Sequence, residues 1–262
     1  MSPSGALTAP PETSDDAVLG GRVRLAQPTT GYRAAIDPVL LAAALPAQVH
    51  DRVLDLGCGV GTAALCLAAR VPGVRVVGLE IRPEIAGLAL RNAETNQVGD
   101  RVDIITGDVA APPATCAGQA FDHVLSNPPF TAGGRGRPSP DPTKAAATVD
   151  SVGLSAWISA AEGALRPDGT LTLVHRADRL DDILAGLAGF GGVVVFPLWP
   201  GPATAEGGPG PRPAKRIIVH ARKGSRAPMV LAPGLVLHRP GGAYTAAAEA
   251  ILSDGESLDL TA

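Results

Sequence analysis

Aromatic residues are scarce in this 262-residue chain, at 3% of positions. A core cannot be assembled around stacked rings, so it must be built mostly from Val, Leu, Ile and Ala within the 45% that is hydrophobic. Cysteine is nearly absent too: Cys58, Cys66 and Cys116 contain no CxxC pair, which excludes a disulfide framework and a cysteine zinc site and fits a reducing, cytoplasmic setting. No run approaches the roughly 18 uninterrupted apolar residues of a membrane span. The first residues lack a basic stretch followed by an apolar one, so 1–19 reads as a disordered leader and not as a signal peptide. The five histidines, at 50, 123, 175, 220 and 238, have no metal-ligand spacing and read as structural. Acids are missing from the most basic region. Between Gly207 and Ala248 stand Arg212, Lys215, Arg216, Arg222, Lys223, Arg226 and Arg239 with no carboxylate, although the net charge of the chain is −3. Such a run is either a solvated face or a surface for phosphate.

Glycine and proline, by contrast, are abundant, at 32 and 25 residues, and they punctuate an alternating pattern. Strand-like runs at 52–56, 74–79, 102–106, 121–126 and 170–175 are separated by helical stretches at 62–69, 83–96, 154–165 and 180–187. That alternation implies a mostly parallel sheet covered on both faces. Two more strands, 192–196 and 216–221, are joined by "PLWPGPATAEGGPGPRPAK", which has no helix for a crossover. They are expected to be antiparallel neighbours, giving a seven-stranded sheet with a reversed strand at one edge. Residues 228–252 carry apolar material that periodicity does not place.

The first strand runs into "DLGCGVG", Asp55 to Gly61. Gly57, Gly59 and Gly61 allow a tight strand-to-helix turn and close approach of a ligand to the backbone. The spacing is not the G-x-G-x-x-G of nicotinamide sites, and Asp55 would repel a pyrophosphate but suits a cation. Glu80, at the end of the second strand, can accept hydrogen bonds from both hydroxyls of a ribose, and Asp108, after the third, can reach an adenine edge. Each acid alone could be an ordinary loop carboxylate. Together at the carboxyl ends of successive strands, they describe a site for an adenosine carrying a positive centre, which is S-adenosylmethionine.

The fourth strand ends in "SNPPF". With the glycine loop, this stretch resembles class I S-adenosylmethionine-dependent methyltransferases of Rossmann-like α/β fold. The resemblance implies catalytic roles for Asn127, Pro128, Pro129 and Phe130. The Asn127 side-chain oxygen and the Pro128 carbonyl would accept hydrogen bonds from a planar target nitrogen, Phe130 would stack on the substrate, and positioning would need no metal. "QPTTGYRAAIDPVLLAAAL" and the tail "AKRIIVHARKGSRAPMVLAPGLVLHRPGGAYTAAAEAIL" are similar to the bacterial family that methylates adenine N6 in the anticodon loop of valine tRNA. The likeness covers roughly residues 20–254 and implies one methyltransferase domain over 20–262, with an N-terminal extension and a basic C-terminal segment. It implies that Tyr32, Arg33 and Asp37 lie over the cofactor. Arg135, Arg137 and Lys144, and the basic residues Lys215, Arg216, Arg222 and Lys223, would then hold RNA, most simply a tRNA.

Two other readings remain open from the sequence. A protein-glutamine N5 methyltransferase uses the same N-P-P-Y/F device, though such proteins usually carry a helical domain ahead of the glycine loop, and the fifty or so residues present here show none. A non-catalytic RNA-binding module would keep the fold without needing an intact Asn127 to Phe130.

Overall fold

Along each central strand, successive apolar residues face opposite ways and enter two separate cores. Val53, Leu125, Val174 and Ile218 pack on one side, and their chain neighbours Leu54, Val124, Leu173 and Ile217 on the other. A sheet buried on both faces needs this, and it explains the near-continuous apolar runs seen in the sequence. The computed structural model describes residues 11–30, 36–118, 120–132, 149–150, 152–201 and 212–261.

The chain begins with a hairpin, β1 (Thr13–Val18) against β2 (Val23–Pro28), followed by α1 (Ile36–Ala44). The alternating unit then runs β3 (Arg52–Leu56), α2 (Thr62–Arg70), β4 (Arg75–Glu80), α3 (Pro83–Thr95), β5 (Val102–Thr106) and β6 (Phe121–Ser126). After a short parallel pair, β7 (Thr131–Ala132) with β8 (Val149–Asp150), come α4 (Leu154–Ala164), β9 (Leu165–Arg176), α5 (Leu180–Gly186), β10 (Phe190–Trp199) and β11 (Arg216–Lys223). The chain closes with β12 (Val230–Leu231), β13 (Leu235–Val236) and α6 (Ala246–Leu252), whose first turn is capped by Thr245 accepting from the Ala248 N–H.

All seven expected strands are present in one sheet, in the order β12-β10-β11-β9-β6-β3-β4-β5, with β13 also on β10. The fold is α/β with a mostly parallel sheet. β11 is antiparallel to both β9 and β10, so the reversed strand is not at the edge but third in the sheet, between β10 and β9. The unplaced segment after residue 228 supplies the short parallel strands that cover β10 and bring the sheet to nine.

One expectation is corrected at the N-terminus. The leader expected over 1–19 is not featureless where it is described: Thr13 to Val18 pair in register with Pro28 to Val23. The acids and threonine that suggested disorder occupy a hairpin whose strand β1 shows only half-buried and exposed positions, while β2 alternates with Val23 and Leu25 in the core. Among the described residues no helix is long and apolar enough to cross a membrane.

Candidate active site

The strands of the parallel unit end level with one another. Leu56 of β3 aligns with Leu79 of β4 and with Ser126 of β6, Glu80 aligns with Thr106 of β5, and Ser126 aligns with Leu173 of β9. The chain runs outward from β3 through β4 to β5, then returns to β6 on the opposite side of β3. Such a reversal opens a crevice at the carboxyl ends of β3 and β6, where the glycine loop and Asn127 both emerge.

The loop is shaped by its glycines in different ways. Gly57, Gly59 and Gly61 all have positive φ, at 71°, 57° and 86°. Among the described residues, a Cβ on Gly59 would meet nothing within 4 Å, so this residue borders space where a ligand can approach the backbone. A Cβ on Gly57 would instead come within 2.6 Å of the Trp157 ring in α4; that close approach belongs to packing. The Gly57 and Cys58 N–H groups donate to the Leu79 carbonyl at 2.8 and 3.0 Å, tying the loop to the end of β4.

Two acids flank the loop and a third stands after β5. Glu80 is 5% exposed. Its Oε2 accepts from the Gly59 N–H at 3.1 Å and its Oε1 from the Arg82 N–H at 3.0 Å, so the carboxylate is held beside the loop. Asp108 Oδ1 accepts from the Ala110 N–H at 2.8 Å in the turn after β5. Asp55, 2% exposed, lies beneath the loop, and its Oδ2 has no hydrogen-bond partner among the described residues. Burial pushes its pKa up to about 7, the Ala64 N–H pulling it down and the nearby Glu80 charge adding to the rise. A buried, orphaned carboxylate oxygen and an open glycine are what a cationic nucleoside would use, so these residues fit S-adenosylmethionine.

Across the crevice, Ser126 Oγ donates to the Leu56 carbonyl at 2.9 Å and pins the base of the Asn127-Pro128-Pro129-Phe130 segment to β3. Pro128 is buried. Phe130 is enclosed by two residues from the far half of the sheet. The His175 ring lies edge-on to it with centroids 5.3 Å apart, and the Arg216 guanidinium sits over its ring at 4.3 Å. His175 is wholly buried at the end of β9; its Nε2 lies 3.4 Å from the Pro129 carbonyl, and burial lowers its pKa. Arg216 Nε in turn donates to Asp37 Oδ2 at 3.0 Å, so the first turn of α1 braces the tetrapeptide through one arginine.

Of the basic residues expected at the substrate, Lys215 is exposed beside Arg216 at this end of the sheet. Arg222 and Lys223 are not at this end. Because β11 runs backwards, they lie six and seven residues farther along it, roughly 20 Å from Arg216, at the opposite end of the sheet. There they bond to backbone: Arg222 Nη1 donates to the Asp168 carbonyl at 2.9 Å, and Lys223 Nζ to the Glu162 and Leu165 carbonyls at 2.6 and 2.7 Å. Tyr32, Arg33, Arg135, Arg137 and Lys144 lie outside the described residues.

His175, Ser126 and Trp157 were not singled out from the sequence as site residues. For His175 a signal existed in principle: it lies two residues beyond Leu173, which is level with Ser126, so it shares the face and height of the tetrapeptide once that register is known.

Residues 34–185, more than half of the chain, match the family described as the Methyltransferase small domain. The chain belongs to that family. The matched methyltransferase small domain contains the glycine loop, the three acids, the tetrapeptide and His175, and stops before Lys215 and Arg216. Among curated relatives, the tRNA1(Val) (adenine(37)-N6)-methyltransferase of Porphyromonas gingivalis is 35% identical over 168 residues, 62% of this chain and 66% of that protein. The release factor glutamine methyltransferase of Chlorobaculum tepidum is 35% identical over 92 residues, 35% of this chain and 31% of that one. The chain thus spans less than two thirds of the length of either relative. A solved structure described as a predicted O-methyltransferase from Agrobacterium tumefaciens superposes with a TM-score of 0.68 at 26% identity, covering 84% of this chain and 97% of that one.

Proposed function

We propose that the protein transfers a methyl group from S-adenosylmethionine to the exocyclic N6 of an adenine in RNA, with tRNA as the substrate. The observation that carries this reading is the Asn127-Pro128-Pro129-Phe130 segment standing level with the glycine loop across the topological switch point. The relation to the P. gingivalis tRNA enzyme extends over 168 residues against 92 for the glutamine enzyme, which favours the nucleic-acid substrate.

When bound, S-adenosylmethionine supplies a methyl group on a sulfonium, already electrophilic. Glu80 would hold the ribose hydroxyls, Asp108 the adenine edge, and Asp55 the positive charge, with Asp37 at the far wall. The Asn127 side-chain oxygen and the Pro128 carbonyl would accept hydrogen bonds from the two N–H groups of the amino group, which turns its lone pair toward the methyl. The two prolines keep both acceptors from rotating away. Phe130 orders the flat face of the base, and Arg216 and His175 keep Phe130 in place. Lys215 and Arg216 would meet the flanking phosphates; the same role for Arg135 and Arg137 completes the substrate set we propose.

Incubation of the purified protein with S-adenosylmethionine and bulk tRNA, followed by nucleoside mass spectrometry, should show N6-methyladenosine. Asn127→Ala should lower kcat by roughly a hundredfold, as for a misplaced reacting group, while leaving cofactor affinity near wild type. Methylation of a release-factor glutamine peptide with none on RNA would transfer the function to the glutamine class.

A further inference from the structure

Asparagine is a poor residue for a helix interior, because its amide competes for backbone partners. Helix α3 nevertheless contains Asn92, 1% exposed, and is followed at its C-cap by Asn96. Both amides face β2. Asn92 Oδ1 accepts from the Ala26 N–H at 2.8 Å and its Nδ2 donates to the Ala26 carbonyl at 3.1 Å. Asn96 repeats the arrangement on Arg24, at 2.9 and 2.7 Å. Four residues of helix rise about 6 Å and two residues of strand about 6.8 Å, so two side chains of α3 can match the free edge of β2 peptide for peptide. The hairpin is docked on the helix as though α3 were its third strand.

Asn92 does one thing that Asn96 does not. Its Nδ2 also donates to the Val60 carbonyl at 2.9 Å, inside the glycine loop. Val60 packs with Ile85 and Leu88 of α3 in an apolar cluster apart from the main cores, with Ala26 of the hairpin against it. One buried amide therefore joins three parts: the loop that borders the ligand space, the helix behind it, and the hairpin that leads toward Asp37.

We propose that Asn92 is a positioning residue for the cofactor, holding the glycine loop through Val60 and coupling it to the N-terminal hairpin. This rests on the cofactor reading above. Losing the amide frees the Val60 carbonyl, lets the peptides around Gly59 and Gly61 move, and detaches Ala26. Asn96→Ala removes a hairpin contact of the same kind and leaves the loop alone, so the pair separates the two roles.

S-adenosylhomocysteine binding by calorimetry to the full chain, with thermal unfolding of the ligand-free protein, provides the test. Asn92→Ala should weaken binding at least tenfold and raise KM for S-adenosylmethionine with kcat nearly unchanged, since Asn127 is untouched. Asn96→Ala should weaken binding less than threefold. Asn92→Asp, which keeps the acceptor for the Ala26 N–H and loses both donors, should follow Asn92→Ala and decides the matter if the alanine variant does not fold. Folded Asn92 variants that bind within twofold of wild type would overturn the proposal, as would equal losses from Asn92→Ala and Asn96→Ala, which would give the effect to hairpin docking alone. A wild-type protein that does not bind S-adenosylhomocysteine would instead overturn the cofactor reading on which the proposal stands.

Discussion

A carboxylate buried beneath a glycine loop with one oxygen unpartnered is unstable as a charge, and Asp55 carries the consequence. Its ordinary value is 3.8 and burial raises it to about 7. Between those two values the native protein binds a proton that the unfolded chain has released, so this group's contribution to stability is complete below 3.8 and is lost as pH rises through about 7. His220 acts in the opposite sense, because burial lowers it to about 4 and its contribution falls away as pH drops through that value. The difference between wild type and Asp55→Asn isolates the aspartate. In the absence of ligand, the thermal midpoint of wild type should decline relative to the variant from about pH 4 to about pH 8. A cationic ligand reverses the preference by favouring the ionised form, so affinity for S-adenosylmethionine should rise with pH through neutrality in wild type. The neutral asparagine should not show that rise. A flat difference in midpoint across the range would mean that Asp55 keeps its charge in the folded protein.

An element's direction assigns its side chains to one end of the sheet or the other, and β11 shows how much that decides. Lys223 caps the carbonyls at the end of α4, since Glu162 and Leu165 are among its last unpaired acceptors. Lys223→Ala should cost roughly 1.5 to 3 kcal/mol in denaturant unfolding, the range for hydrogen bonds to a charged group, and leave methyl transfer per folded molecule unchanged. A drop in turnover without a loss of stability would restore Lys223 to the substrate. The strand itself was legible, because Ile217, Ile218 and Val219 read as β structure wherever they are. What periodicity does not contain is the register that aligns Arg216 with Arg176 and Arg222 with Thr170. In sequence the seven cations form one run; in the fold they are divided. The glycine loop and Asn127 to Phe130 were legible for the converse reason: each is a local backbone device at the end of a strand. His175, Trp157 and Asn92 depend on contacts across elements, 46 residues apart for His175 and Pro129 and 32 for Asn92 and Val60, and nothing local in the chain announces them.

For the molecule as a whole, the net charge of −3 makes attraction to RNA depend on where the cations are, not on how many there are. Arg212 and Lys215 are exposed close to the start of β11, and Arg212 Nη2 donates to the Pro200 carbonyl just past the end of β10. Arg239 follows β13, which runs parallel to the end of β10 at Leu198 and Trp199. With Arg216 these residues gather at the end of the sheet where the tetrapeptide emerges. Arg222, Lys223 and Arg226 belong to the other end, where the Gly192 N–H meets the Ala227 carbonyl at the beginning of β10. Each phosphate neutralised in a complex releases counterions and steepens the fall of affinity with salt, by roughly 0.7 to 0.9 per contact on a logarithmic plot. Replacing Arg212 and Lys215 together with Ala should therefore flatten the salt slope of tRNA binding by roughly 1.5. Replacing Arg222 and Arg226 should leave it unchanged, although both pairs remove two positive charges and alter the net charge equally. The comparison separates a placed phosphate surface from a general electrostatic field, which would respond to both pairs alike. Equal flattening by the two pairs would show that tRNA is held by the charge of the segment as a whole, and no flattening by either would place the phosphate contacts elsewhere on the protein.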